Sequence, residues 1–180
     1  MENIFNKAPD HGTFSWANLG NIKEGRSNLG DEVPVLLYRL IQFTLLDVLT
    51  KDVGRENANN YMRKAGYLAG TEFSHNLLDL KTDLSGFIAN LQNALEKFKI
   101  GILRIESIDN EADNIILTIA EDMDCSGLPI SGETVCDYEE GFIAGILKAY
   151  TGKTFTVREI DCWASGARAC RFKCTVINKE

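Results

Sequence analysis

Basic charge is what this chain most lacks. Nineteen Lys and Arg face 26 Asp and Glu, leaving a net charge of −7 and a pI near 4.9. Phosphate backbones and anionic bilayers both demand a basic patch, so nucleic acid and membrane surfaces are excluded as main partners. Long apolar runs are missing too. The most apolar stretch, residues 35–49, is interrupted by Arg39, Gln42, Thr44 and Asp47, which excludes a membrane span. Residues 1–10 hold no apolar core followed by a small-residue cleavage site, so no secretory leader is expected and the expected location is the cytoplasm. Three prolines and 15 glycines among 180 residues are far too few for a disordered composition, and 44% hydrophobic with 25% charged residues is ordinary for a folded chain of about one domain.

Cysteine is present, five times over, and in a chain without a secretory leader thiols serve as metal ligands, reactive groups or core residues rather than disulfides. Cys136, Glu159, Cys162 and Cys170 together offer three thiolates and a carboxylate to one divalent ion. A tetrahedral zinc filled by four protein groups leaves no position for water, so such a site is structural. Spacing alone leaves metal ligation and simple burial both open, because the Cys-x7-Cys step lacks the tight knuckle of zinc ribbons. Glu159 shares a strand face with Phe155 and Val157, where a carboxylate needs a cation. Cys174 reads as plain core and Cys125 as a loop thiol.

The order of elements predicts an α+β domain. Residues 1–30 form an irregular arm with a short turn near Trp16, which anchors it, and residues 31–180 form a single domain. The first helix starts near Asp31 and Pro34, and its apolar row Leu36, Leu37, Leu40, Ile41, Thr44, Leu45 and Val48 is expected to be well buried. A second helix covers 55–78, its small residues permitting close packing through the row Ala58, Tyr61, Met62, Ala65, Leu68, Ala69 and Phe73. A third follows Thr82 or Asp83 and ends at Gly101, expected to be left-handed. Strands at 102–108 and 114–120 form a hairpin through the acidic turn 110–113. A fourth helix, capped by Ser131 or Thr134, has Cys136 in its first turn and stops at Gly152, and its dipole favours a thiolate at Cys136. Strands at 154–161 and 169–177 close the chain, with Cys170, Phe172, Cys174 and Val176 on one dry face. Helices first, then strand-strand-helix-strand-strand, give an antiparallel sheet packed against helices with the zinc site near the C-terminal hairpin.

The segment from Gly141 to Val176, centred on Glu159-x2-Cys162-x-Ala164-x-Gly166-x3-Cys170-Arg171-Phe172, resembles the 4-vinyl reductase domain family, which includes stand-alone hydrocarbon-binding proteins and the sensory domains of phenol-responsive activators. The resemblance implies a structural zinc on Cys136, Glu159, Cys162 and Cys170, a homodimer formed through helices, and a buried cavity between helices and sheet. It also implies a fold similar to a heme-dependent nitric-oxide sensor domain and a vesicle-tethering subunit. The cavity walls are then Leu84, Phe87, Leu91, Ile115 and Leu117. Arg158, Arg168 or Arg171 are expected to offset the negative charge of the site, with Arg158 alternatively a plain solvent-facing residue.

The sequence departs from the phenol sensors in one respect. They hold the ligand hydroxyl with a His and a Trp, whereas this chain has no His after His75 and no Trp between Trp16 and Trp163. His75 itself reads as a surface or cap residue. An apolar, hydrocarbon-like guest therefore fits better than phenol. Two other functions compete: a scaffold module with a vestigial cavity, and an accessory factor in tetrapyrrole vinyl reduction. Against an enzyme stand the lack of a Gly-x-Gly-x-x-Gly cradle after a strand and of any evident nucleophile–base pair. No DNA-binding or ATPase module is fused within these residues, so a signalling role requires a partner that the sequence does not name.

Overall fold

The structure, a computed structural model, describes residues 13–109 and 113–177. The stretch read for a leader, residues 1–10, and most of the acidic turn, residues 110–112, lie outside them. Helices α1 (Ile22–Gly25), α2 (Val35–Val53), α3 (Arg55–Leu77) and α4 (Leu84–Lys97) precede strands β1 (Ile102–Asp109) and β2 (Asn114–Ala120). Helix α5 (Asp137–Thr151) then leads to β3 (Phe155–Asp161) and β4 (Cys170–Val176). The four strands form one antiparallel sheet in the order β1-β2-β4-β3. This is the α+β architecture that the element order predicts. No helix among the described residues is long and apolar enough to cross a membrane.

The core lies between the sheet and α4 and α5, where Phe87, Leu91 and Leu95 meet Leu103, Leu117, Ile119, Ile143 and Phe172. Asp83 caps α4 by accepting from Gly86 N at 2.8 Å, and left-handed Gly152 ends α5. In the arm, Trp16 N–H donates to Glu72 at 2.9 Å and ties a short 3-10 turn to α3.

Helices α3 and α5 touch backbone to backbone. An added Cβ would stand 1.9 Å from Tyr138 O at Gly66, 2.1 Å from Phe142 O at Gly70, 1.9 Å from Arg63 O at Gly141 and 2.4 Å from Tyr67 O at Gly145. No side chain fits in those gaps, so the glycines set the separation of the two helices.

Several expectations need correction. The apolar row of α2 is not buried. Leu36 is 74% exposed, Ile41 68% and Leu40 57%, and Gln42 is the one residue of the helix that is buried. Helical period shows that a face is apolar but not that anything lies against it. In α3 the buried row is Ala58, Met62, Gly66, Gly70, Phe73 and Ser74, with Tyr61 and Leu68 exposed, because glycine rather than bulk makes the close contact. The left-handed residue after α4 is Lys99, at φ 59°, whereas a Cβ on Gly101 would lie 2.4 Å from Ile119, so that glycine serves close approach to β2. The cap of α5 is Cys136 itself, not Ser131 or Thr134, and α2 begins after Pro34, not Asp31.

Candidate metal centre and apolar cavity

Strand β3 turns Phe155, Val157 and Glu159 inward and leaves Thr156 and Arg158 exposed. Strict alternation would then point Cys162 outward. A register shift between Glu159 and Asp161 in the β3–β4 pairing reverses the parity, exposing Ile160 and burying Cys162 completely. The 3-10 turn Trp163–Ser165 follows, with Ser165 Oγ accepting from Cys162 N and donating to Cys162 O. Gly166, at φ 101°, starts the return into β4, which buries Cys170, Phe172 and Cys174.

Cys136 stands at the start of α5. Glu159 Oε2 accepts from Val135 N at 3.1 Å and Cys136 N at 3.0 Å, so the carboxylate brackets the helix start to the end of β3. Its other oxygen, Oε1, is buried with no hydrogen-bond partner. Burial pushes Glu159 up to about 8 despite those N–H groups.

The structure brings all four sequence-derived residues together and adds a fifth. One ligand atom each from Cys125, Cys136, Glu159, Cys162 and Cys170 lies within 4.8 Å of every other, and all five residues are buried. Cys136 Sγ is 3.9 Å from Cys162 Sγ and 3.8 Å from Cys170 Sγ. Two thiolates on one tetrahedral ion at a Zn–S distance of about 2.3 Å stand roughly 3.8 Å apart. The donor set and its spacing therefore fit a metal ion, and the cluster can hold one. Hydrogen bonding from Cys125, Cys136 and Cys170 favours the Cys162 thiolate, while the surrounding thiols Cys125, Cys162 and Cys170 hold Cys136 up.

Cys125 is not the isolated loop thiol that the sequence indicates. Its Sγ lies 2.9 Å from Cys170 Sγ. Its loop is pinned from three sides: Met123 N donates to Ile100 O, Arg39 donates to Met123 O and Ser126 O, and Trp163 Nε1 donates to Leu128 O. Asp122 Oδ1 accepts from Asp124 N and Cys125 N. The flanking aspartates were the signal for this placement, since such side chains shape loops around their own backbone. Cys174 stays outside the cluster, and burial alone pushes its thiol up to about 12.

The arginines do not face the sulfurs. Arg158 pairs with Glu140 at 2.8 Å, Arg171 pairs with Glu106 at 2.7 Å, and Arg168 is exposed.

Beside this cluster lies an apolar cavity of about 60 Å³. Leu84, Phe87 and Leu91 of α4 and Ile115 and Leu117 of β2 all line it, together with one face of α5. That face runs Glu139, Phe142, Ile143, Ile146, Leu147 and Tyr150, the 3-and-4 spacing of a helical stripe. Phe87 and Tyr150 stack at 3.8 Å between ring centroids toward the end of α5 that carries Tyr150. Glu139 also borders a second pocket of about 140 Å³, with Tyr38, Asp124 and Tyr138. Asp124 accepts from Tyr38 at 2.7 Å and Gln42 at 3.1 Å, and burial next to Asp122 pushes it up to about 7.

A sheet covered by helices, with cysteines gathered where the final hairpin meets α5, defines an α+β domain of the 4-vinyl reductase type. The model of that domain family matches residues 115–176, which span β2, α5, β3, β4 and every member of the thiol cluster. "Uncharacterized protein MJ1642" of Methanocaldococcus jannaschii is 30% identical over 152 residues, covering 84% of this chain and 83% of that protein. The chain belongs to the 4-vinyl reductase domain family. Its fold is similar to that of a vinyl-4-reductase family protein from the same organism, at 16% identity and a TM-score of 0.58 over 83% of this chain and 85% of that one. It is similar too to the phenol-responsive sensory domain of the transcription activator PoxR, crystallised with phenol, at 17% identity and a TM-score of 0.62 over 87% and 90%.

Proposed function

We propose that this chain is a zinc-stabilised domain that binds an apolar small molecule and acts as a homodimer, guest occupancy shifting the arrangement of its helices. The observation that carries this reading is the adjacency of a carbon-walled cavity to a buried cluster of thiols and one carboxylate, both built on α5. Cys136, Glu159, Cys162 and Cys170 would hold the ion, with Cys125 in reach as a further sulfur. Zinc would supply a cross-link between the start of α5 and the β3–β4 hairpin. Leu84, Phe87, Leu91, Ile115 and Leu117 would contact the guest. The exposed row Leu36, Leu40 and Ile41 supports a second copy covering α2, since a contiguous apolar stripe of this kind marks an interaction surface. PoxR, whose sensory domain was crystallised with phenol, supports the same use of the fold.

One observation favours the scaffold reading instead. At about 60 Å³ the cavity is smaller than the roughly 150 Å³ void that accepts benzene, so a guest of more than a few heavy atoms must displace side chains. Metal analysis with thiol titration before and after chelation tests the ion, and about one zinc per chain is expected. Native mass spectrometry of freshly purified protein tests the rest: a dimer carrying a small apolar mass supports the proposal, and a guest-free dimer supports a scaffold.

A further inference from the structure

Two adjacent glutamates open α5, and they are treated very differently. Glu140 is satisfied on both oxygens: Oε2 accepts from Arg63 at 2.6 Å and Arg158 at 2.8 Å, and Oε1 accepts from Glu159 N at 2.8 Å. Glu139 is 4% exposed, and its Oε2 has no hydrogen-bond partner. An unmet buried carboxyl oxygen costs free energy in every folded molecule unless something meets it.

The other polar side chains on the wall of the apolar cavity are already engaged. Tyr150 OH donates to Thr82 O, and Thr151 Oγ1 donates to Leu147 O. Among the described lining residues, Glu139 is thus the polar side chain left with an open valence, at the head of a stripe of Phe142, Ile143, Ile146 and Leu147. The groups around its carboxyl deepen the demand for a donor, since Asp122, Cys136 and Cys170 each place a ligand atom within 4.8 Å of it and none is a cation.

We propose that Glu139 is the polar anchor of the cavity and that the guest is an apolar molecule carrying one hydrogen-bond donor, an alcohol or an amine, at the end that meets the first turn of α5. This rests on the cavity being a guest site and adds which guests it selects. A pure hydrocarbon leaves Oε2 unmet. A carboxylate-headed guest brings negative charge against Asp122, Asp124 and Glu139 and is rejected. An alcohol or amine donates to Oε2 and leaves its chain against Phe87, Leu91 and Ile146.

The test uses the full chain with its metal content measured, and four probes of one length: hexane, 1-hexanol, hexylamine and hexanoate. Affinities come from NMR titration of the methyl groups of Leu91 and Leu117. The alcohol and the amine should bind about tenfold or more tightly than hexane, the factor one hydrogen bond to a charged group supplies, and hexanoate should bind weakest. Glu139→Leu should bring hexane and 1-hexanol together. Glu139→Gln, which keeps an acceptor oxygen but no charge, should retain 1-hexanol and lose the advantage of hexylamine. Equal binding of all four probes by the wild-type chain, or a preference that survives Glu139→Leu, overturns the anchor and leaves the guest site standing. Should Glu139→Leu fail to fold, an unchanged amine advantage in Glu139→Gln overturns it alone. Loss of the metal from Glu139→Gln also overturns it, by assigning the carboxyl to the ion. If none of the four probes binds, the guest-site reading falls together with the anchor.

Discussion

Helices α2 and α4 are both amphipathic, yet they are mounted the opposite way round. Helix α4 turns Phe87, Leu91, Ala94 and Leu95 into the core, as a helix on a sheet normally does. Helix α2 turns Tyr38, Arg39 and Gln42 toward the loop that carries Cys125 and leaves Leu36, Leu40 and Ile41 outside. The difference teaches where each helix gets its stability. Helix α4 is held by hydrophobic burial, which is spread over many contacts. Helix α2 is held near its start by a few directed hydrogen bonds to backbone carbonyls and to Asp124, and these last only while that loop keeps its shape.

The largest test of this contrast is removal of the metal. Chelation, or Cys162→Ser, is expected to lower stability by several kcal/mol, because structural zinc in small domains contributes on the order of 10 kcal/mol of metal-coupled folding energy. Hydrogen exchange should show protection lost first across α2 and the 121–136 loop, with α4 protected longer. Simultaneous loss in both helices would break the comparison. Cys174→Ser, outside the cluster, should show a burial cost only, and an effect equal to that of Cys162→Ser would contradict the ligand set.

Next in size is Leu95→Ala in α4. This residue is 2% exposed, and truncation at such a site costs about 2–5 kcal/mol through lost burial and the cavity left behind. Chemical denaturation of the metal-loaded protein measures it. A cost below about 1 kcal/mol would mean that α4 is not held by burial.

The smallest effect on the single chain is expected from Leu40→Ser in α2, within about 0.5 kcal/mol, as for an exposed position. Sedimentation should show the same substitution weakening self-association by a measurable factor. A monomeric protein that loses as much stability from Leu40→Ser as from Leu95→Ala would show that α2 does not have an open face.

Much of this was legible in the chain. The order of helices and strands followed from periodicity and punctuation, and Cys136, Glu159, Cys162 and Cys170 could be named because their neighbours carry a family motif. What was hidden depends on contacts distant in sequence. Cys125 enters the cluster only because Arg39, Ile100 and Trp163 hold its loop in place. The outward mounting of α2 could not be read from its own period, which fixes an apolar face but not its cover. Glu139 was overlooked although it stands in line with Phe142, Ile143 and Ile146; a charge heading an apolar stripe was the available signal.

The glycine seam between α3 and α5 sets a limit on how the molecule can respond to a guest. With main chain against main chain there is nothing soft between those two helices to compress, so they behave as one rigid beam. Enlargement of the cavity must then be taken up on its far wall, by outward tilt of α4 or by parting of the Phe87–Tyr150 stack.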